Sequence, residues 1–132
     1  MRIGIQSFKM KTSYFLDTYA IIEFLRGNKN YQSLLNEETF LTSTNNLSEF
    51  KYYLLKENLD KDSKKIISDL GLSFIEITPE VAVEAADFRY KHKKKKLSFI
   101  DCLGYLTALK NNLVFLTGDK EFENFQNVRF VK

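Results

Sequence analysis

Four acidic residues of this chain follow apolar segments closely, in positions where carboxylates can do chemistry. Asp17 directly follows one apolar run, and Asp119 comes shortly after another. Glu49 and Asp101 each lie near the start of a predicted helix. If the apolar runs are parallel strands of one sheet, the four carboxylates gather at its carboxyl edge, where open α/β sheets place their sites. Crowded carboxylates repel one another, and a hard divalent cation such as Mg²⁺ or Mn²⁺ is their usual counterion.

The elements that must position these residues alternate between strand and helix patterns. Strands are predicted at residues 13–17, 39–43, 72–77, 113–117 and 128–131. Helices are predicted at residues 19–26 and 31–36. Two more are predicted from an Asn45 or Asn46 cap to residue 58 and from an Asp60 cap to Gly71. The last two are predicted to begin at Pro79, after a Thr78 cap, and at Ser98. This alternation predicts a three-layer α/β/α sandwich around a central, mostly parallel sheet of four to five strands.

The helix that begins at Ser98 receives the most specific local prediction. Ser98 and Asp101 have the spacing of a capping box, in which each side chain bonds the other residue's backbone N–H. The helical period predicts that Phe99, Cys102, Leu103 and Leu106 form the core face, and that Asp101, Gly104, Tyr105 and Ala108 share a different face.

The length and composition of the chain predict one folded domain. The 132 residues are 44% hydrophobic, which is enough for a real core. We expect the domain to span residues 13–132, after an N-terminal extension or upstream start at residues 1–12. The single cysteine, Cys102, excludes an internal disulfide, and no apolar run has the length of a membrane span. A cytoplasmic protein without membrane contact is therefore expected.

The positive charge of the chain is concentrated in one segment. The net charge is +3, but residues 91–96 hold five of the 20 basic residues, which leaves 15 basic against 17 acidic residues elsewhere. Such a segment is typical either of a phosphate-binding or acid-binding surface or of a solvated helix end. The sequence leaves both interpretations open.

Other chemistries find less support in the residues. Each acid taken alone has a structural explanation as a helix cap, a first-turn acid or a turn residue. Cys102 falls on an apolar helix face and His92 lies among lysines, so a thiol nucleophile is not favoured. The chain lacks zinc-ligand spacings and glycine-rich phosphate loops. A phosphoaspartate enzyme would have a second Asp two positions after Asp17, where this chain has Tyr19.

Four segments together resemble the motifs of PIN domains. They are YFLDTYAII at residues 14–22, LSEF at 47–50, SFIDCLGYLTA at 98–108 and LTGDKEF at 116–122. The last two are the most specific, and the resemblance spans nearly the whole chain. At this length the chain is most similar to the VapC-type toxins of toxin–antitoxin systems. It departs from the pattern with Cys102 where a small residue is common, and with the pair Asn45–Asn46 where β-branched residues are common.

The resemblance implies a fold, an activity and a set of site residues. PIN domains are α/β/α sandwiches and metal-dependent ribonucleases, which inhibit translation in the toxin members. The matching positions here would hold Mg²⁺ or Mn²⁺, support the site with a hydroxyl, or contact the RNA backbone. The acids are Asp17, Glu49, Asp101 and Asp119, the hydroxyl residues are Thr18 and Thr117, and the RNA contacts are Lys93, Lys94, Lys95 and Lys96.

The resemblance also implies partners. They are an RNA substrate (tRNA, rRNA or mRNA), a cognate antitoxin protein and a second copy of the chain in a homodimer. Ile22, Phe24, Tyr52 and Tyr53 are candidates for the protein contacts, although a core position is expected for Ile22. Two alternatives remain: a PIN nuclease of RNA maturation or decay, and a non-catalytic module that binds RNA or protein through its basic segment.

Overall fold

The computed structural model describes residues 12–35 and 39–132 of the chain. The predicted N-terminal extension at residues 1–12 therefore lies almost entirely outside the described residues, and both it and the single domain at 13–132 stay predictions. Five strands form one sheet in which every pairing is parallel. They are β1 (Ser13–Leu16), β2 (Thr39–Thr42), β3 (Ser73–Phe74), β4 (Val114–Thr117) and β5 (Val128–Phe130).

The strand order places a topological switch point at the centre of the sheet. The order is β3-β2-β1-β4-β5, so the chain winds outward from β1 in one direction and then returns to build the other half. Leu16 of β1 pairs with Leu116 of β4, so both strands end at the same level. In open α/β sheets, ligands bind in the crevice at the switch point, beyond the carboxyl ends of the strands.

Helices cover both faces of this sheet, which confirms the predicted α/β/α sandwich. The α-helices are α1 (Thr18–Leu25), α2 (Lys29–Gln32), α3 (Thr44–Lys56), α4 (Ser63–Asp69), α5 (Pro79–Lys91) and α6 (Phe99–Lys110). Two 3₁₀ helices lie at Asp60–Asp62 and Lys120–Phe122. Among the described residues, no helix is long and apolar enough to cross a membrane.

The alternation of side chains along β1 separates two buried cores. Tyr14 and Leu16 pack with α1, α2 and α3 on one face, in a core that includes Ile21 and Phe50. Phe15 points to the other face and packs with residues of α5, α6 and β4. A strand buried on both faces in this way is typical of a parallel sheet with helices on either side.

Helix caps fix where the site-bearing segments begin. Thr78 caps α5 as predicted, since its Oγ1 accepts a hydrogen bond from the Val81 N–H at 3.2 Å. Ser98 and Asp101 form the predicted capping box of α6. The cap of α3 was predicted wrongly: Ser43, rather than Asn45 or Asn46, accepts from the Asn46 N–H. β2 ends at Thr42, so Ser43 is the last extended residue and the helix has already begun at Thr44.

Several other predicted boundaries differ from the structure. The predicted strand at residues 72–77 is only two residues long, because its partner β2 ends at Thr42 and offers no further ladder. The helix predicted at 31–36 lies at Lys29–Gln32, capped by Asn28, and residue 36 is outside the described residues. Asp60 begins a 3₁₀ helix with no side-chain cap instead of capping an α-helix.

The core face of α6 is broader than predicted. Phe99, predicted to lie in the core, is 59% exposed, whereas Gly104, Tyr105 and Ala108 are buried with Cys102. The reason is that Gly104 lets α6 approach β1 closely. A Cβ atom on Gly104 would lie 2.8 Å from Cε1 of the Phe15 ring, which is closer than real Cβ contacts. The position of Asp101 above the sheet depends on this close approach.

We therefore expect Gly104→Ala to destabilise the protein. Overpacking of a buried contact costs about 1–3 kcal/mol, which outweighs the gain of about 1 kcal/mol from replacing a helical glycine by alanine. Differential scanning calorimetry should show the Tm falling by about 3–8 °C. The double variant Gly104→Ala, Phe15→Leu shortens the ring that clashes and should recover part of this loss. A single variant as stable as the wild type would contradict the close approach.

Candidate metal centre

The ends of β1 and β4 bring Asp17 and Asp119 together through Thr117. The Thr117 hydroxyl donates a hydrogen bond to Oδ2 of Asp17, and its Oγ1 accepts one from the Asp119 N–H at 3.0 Å. The other oxygen of Asp17, Oδ1, accepts from the Ala20 N–H at 2.9 Å as the cap of α1. Thr117 is one of the two residues predicted to support the site with a hydroxyl. Its Oγ1 contacts the carboxylate of Asp17 and the backbone N–H of Asp119.

Asp17 is the most deeply buried of the four acids and is only 3% exposed. Burial raises the pKa of its carboxyl from 3.8 to about 7, although the hydrogen bonds from Thr117 and Ala20 oppose this change. The nearby carboxylates of Asp101 and Asp119 also contribute to this increase in the pKa. The three aspartates are therefore close enough to interact electrostatically at the switch point.

Asp101 lies in the first turn of α6, where the capping box fixes its side chain. Its Oδ2 accepts from the Ser98 N–H at 2.9 Å, and its own N–H donates to the Ser98 Oγ at 3.0 Å. Burial, followed by repulsion from Asp119 and Glu49, raises the pKa of Asp101. The Asp101 side chain thus caps α6 and also lies near the other acids, so its role as a cap does not exclude a role in a metal site.

Glu49 is held by a hydrogen-bond chain between α1 and α3. The Thr18 hydroxyl donates to Oε1 of Glu49 at 2.6 Å, and Asn46 Nδ2 donates to Thr18 Oγ1 at 3.1 Å. The Ser43 hydroxyl in turn donates to Oδ1 of Asn46 at 2.6 Å. Asn46 is fully buried, and its amide joins the cap of α3 to Thr18 and through it to Glu49.

Sequence reasoning missed the positioning residues Ser43 and Asn46. The pair Asn45–Asn46 was noticed only as a departure from the PIN pattern and as a possible cap. The available signal was that Asn46 lies four and eight residues before Phe50 and Leu54, on the apolar side of the helix, where a buried amide needs hydrogen-bond partners. Gly118 was missed as well. A Cβ atom there would lie 2.2 Å from the Tyr19 ring, so the ring packs directly over the turn that carries Asp119.

The four carboxylates have the donor chemistry of a site for a hard cation. None of them forms an ion pair with a lysine or arginine in the described parts of the chain. Asp101 Oδ1, Asp119 Oδ2 and Glu49 Oε2 accept no hydrogen bond from the described residues, while the other oxygen of each is anchored. Carboxylate oxygens of this kind are the ligands that Mg²⁺ and Mn²⁺ prefer.

The acids do not form a closed coordination shell by themselves. Within residues 12–35 and 39–132, no group of three acidic, histidine or cysteine side chains is arranged to hold a metal ion. Each acid is held by its own hydrogen-bond anchor. A magnesium ion commonly keeps several water ligands and needs only one or two direct carboxylates, so this spacing fits a hydrated ion.

The lysine-rich segment lies beside the acidic site. The Lys96 N–H donates to the Glu121 carboxylate at 2.8 Å, and the Glu121 N–H donates to Asp119 Oδ1 at 3.0 Å. Lys93 and Lys94 are exposed and Lys95 is half-buried, with the Lys95 ammonium 5.3 Å from the centre of the Phe125 ring. Two hydrogen bonds therefore link the basic segment to Asp119.

Cys102 and His92 do not provide a competing site. The Cys102 side chain is fully buried, and burial raises the pKa of its thiol to about 11. The His92 ring packs between aromatic rings, with centroids 4.5 Å from Phe88 and 4.9 Å from Phe125.

The residues predicted to contact protein partners differ in exposure. Phe24 is buried in the core, so its prediction as a surface residue was wrong. Ile22 and Tyr53 are half-buried, and Tyr52 is 64% exposed. Tyr52 and Tyr53 line a surface cleft of about 490 Å³ together with Thr18, Ser48, Glu49 and Lys56. This cleft adjoins the acidic site.

Comparison with protein families identifies the chain. The PIN domain family matches residues 14–128, most of the sequence, and the chain therefore belongs to the PIN domain family. The resemblance drawn from the four sequence motifs is confirmed. No curated protein matches the chain in sequence.

Solved structures share the fold at low sequence identity. VapBC2 from Rickettsia felis, bound to a DNA fragment from their promoter, aligns with a TM-score of 0.73 and 17% identity, over 91% of this chain and 98% of that chain. VapC20 from Mycobacterium tuberculosis, a sarcin–ricin loop cleaving toxin, aligns at 0.72 and 17%, over 88% and 98%. A toxin–antitoxin complex from Klebsiella pneumoniae aligns at 0.68 and 18%, over 88% and 95%.

The stability of the metal-free protein should fall as the pH rises. Because the pKa of Asp17 is 3.8 in the unfolded chain and about 7 in the fold, the folded protein keeps a proton that the unfolded chain has lost between these values. The free energy of unfolding therefore decreases across this interval. Asp17→Asn removes the charge while its one amide oxygen can still accept from the Ala20 N–H, and its NH₂ group can donate to the Thr117 hydroxyl, which then accepts instead of donating. It should therefore raise the Tm at about pH 8 and flatten the pH dependence. Thermal melts in EDTA at several pH values measure this, and a steeper pH dependence in the variant would contradict it.

Proposed function

We propose that this protein is a divalent-metal-dependent endoribonuclease that uses Asp17, Glu49, Asp101 and Asp119 to hold Mg²⁺ or Mn²⁺. The observation that carries the proposal is the group of three aspartates at the switch point, in which Asp101 and Asp119 raise the pKa of Asp17, Asp119 raises the pKa of Asp101, and none forms an ion pair with a basic side chain among the described residues. Membership of the PIN domain family supports the nuclease assignment.

Hydrolysis of RNA at this site would bring a negatively charged phosphodiester next to the carboxylates. The reaction adds water across the P–O3′ bond and leaves a 5′-phosphate and a 3′-hydroxyl. When bound, divalent cations supply the positive charge that offsets the carboxylates and the phosphodiester, and they acidify the attacking water. The protein residues hold the acids in place: Thr117 orients Asp17, Thr18 orients Glu49, and Ser98 orients Asp101.

The surroundings of the acids suit an RNA strand. Lys93, Lys94, Lys95 and Lys96 would contact the phosphate backbone, because their segment is bonded through Glu121 to the turn that carries Asp119. Without cations the acids would repel RNA, and with cations and the lysine segment the field becomes attractive. The substrate would be a tRNA, rRNA or mRNA.

The likeness to toxin structures supports a more specific role. VapC20 is a sarcin–ricin loop cleaving toxin, and the Klebsiella pneumoniae structure is a toxin–antitoxin complex. We infer by likeness that this chain is the toxin of a VapBC-type pair in the cytoplasm. It would inhibit translation by cleaving RNA, bind a cognate antitoxin and form a homodimer.

The nuclease activity should depend on Asp101. Asp101→Asn keeps an oxygen that can accept the Ser98 N–H bond but removes the charge, so the helix cap should survive while the metal site fails. Purified protein incubated with total cellular RNA should give discrete products with Mg²⁺ or Mn²⁺ and none with EDTA. The variant should lose more than about 100-fold of the rate, beyond the loss typical of an outer-shell partner.

Asp87→Asn is the matched control, since Asp87 is an exposed aspartate on α5 and is not one of the charges that shift the pKa of Asp17 or Asp101. It should cleave like the wild type. Equal cleavage by wild type and Asp101→Asn would show a contaminating nuclease or a structural role for the acid. Growth arrest on induced synthesis of the wild type, but not of Asp101→Asn, would separate the toxin role from RNA maturation or decay.

A further inference from the structure

The cleft beside Glu49 has the lining of a nucleotide-binding site. Its walls come from α1 and α3 and include an acid, a lysine and two tyrosines: Thr18, Ser48, Glu49, Tyr52, Tyr53 and Lys56. The volume of about 490 Å³ is ample for a single nucleobase with its sugar and phosphate.

An acid, an aromatic ring and a lysine of this cleft follow one another along α3. Glu49 lies one helical turn before Tyr52 and two turns before Lys56, and a turn rises about 5.4 Å. The cleft therefore begins at the acid of the candidate metal centre and ends at a lysine, with an aromatic ring between them. A negatively charged strand held by cations at Glu49 would meet first the ring and then the ammonium group.

Tyr52 presents its ring to solvent at the edge of the cleft. It is 64% exposed, and in the described residues its ring stacks on no other aromatic ring. The Lys56 ammonium lies 5.6 Å from the ring centre, near the outer limit of a cation–π contact. Exposed aromatic rings next to basic residues are the surfaces on which proteins stack the bases of single-stranded nucleic acids.

We propose that this cleft is a base-stacking subsite for a nucleotide next to the cleaved bond in single-stranded RNA. The Tyr52 ring stacks on the base, and the Lys56 ammonium contacts a phosphate. The proposal rests on the proposed ribonuclease function, and it adds that the RNA is unpaired at the site. A paired base cannot expose its face to a ring, so the subsite selects loops and single strands over duplexes.

Stacking can be measured directly with a fluorescent base. The probe is a single-stranded RNA of about eight nucleotides that carries one 2-aminopurine, whose fluorescence falls when it stacks. Binding is measured with Ca²⁺ as the divalent ion, and a gel verifies that the RNA stays intact. The wild type should quench the probe at one or two probe positions. Tyr52→Ala should bind about tenfold more weakly without this quenching.

Two further variants separate the ring from the charge. Tyr52→Phe keeps the ring and should quench like the wild type, whereas Tyr52→Leu keeps only apolar bulk and should behave like the alanine variant. Lys56→Gln should keep the quenching and lower the slope of log affinity against log salt by about 0.7, the value for one single-strand phosphate contact. Leu59→Ala changes an exposed apolar residue just beyond the same helix that does not line the cleft, and it should change neither quantity.

Several results would overturn the subsite. They are wild-type binding by Tyr52→Ala, a loss in Tyr52→Phe as large as in Tyr52→Ala, and equal binding of duplex and single-stranded probes. Light scattering that shows a wild-type dimer and a Tyr52→Ala monomer with equal RNA binding would assign the ring to a contact between copies. Quenching without cleavage in Mg²⁺ or Mn²⁺ would contradict the proposed nuclease function but not the subsite. Unchanged cleavage by Tyr52→Ala would contradict the subsite but not the nuclease function.

Discussion

Repulsion among carboxylates at one edge of the sheet is the constraint on which the site depends. Asp17 sits at the deepest point, between the ends of β1 and β4, and its burial would be costly for an ion without partners. The fold offsets part of this cost with the Thr117 hydroxyl and the Ala20 N–H. The remaining charge is not neutralised by any lysine or arginine ion pair in the described residues, and in the proposed function divalent cations would offset it.

Each acid is placed by a local device that would also be expected in a protein with no activity. Asp17 and Asp101 cap helices, Asp119 caps a 3₁₀ helix, and Glu49 accepts from Thr18. The parallel sheet places the ends of β1 and β4 at the same level, because Leu16 pairs with Leu116, and the residues after them therefore lie close together. The close approach of α6 at Gly104 then brings Asp101 above the same point. The topology of the sheet therefore brings these capping residues together at one edge.

The alternation of strands and helices was enough to predict the sandwich, whereas the assignment of the four acids to a site stays a prediction. The strands β1 and β4 are buried on both faces, so they read as plain apolar runs. The errors arose where tertiary contacts decide. Phe99 looked like a core residue by helical period, but Gly104 turns a different face of α6 toward β1. Ser43 replaced Asn45 and Asn46 as a cap because β2 ends one residue earlier than predicted. The link from Asn46 to Glu49 passes through Thr18, 28 residues away along the chain, and no local pattern reveals such a contact.

Calorimetric titration of the metal-free protein with Mn²⁺ near neutral pH tests whether these carboxylates form a metal centre. We expect saturable binding with release of protons, because the carboxyl of Asp17 is partly protonated there and metal ligands must be deprotonated. We also expect the double variant Asp101→Asn, Asp119→Asn to lose this binding while remaining folded. Absence of binding by the wild type, or equal binding by the double variant, would contradict the assignment of these carboxylates to a metal centre.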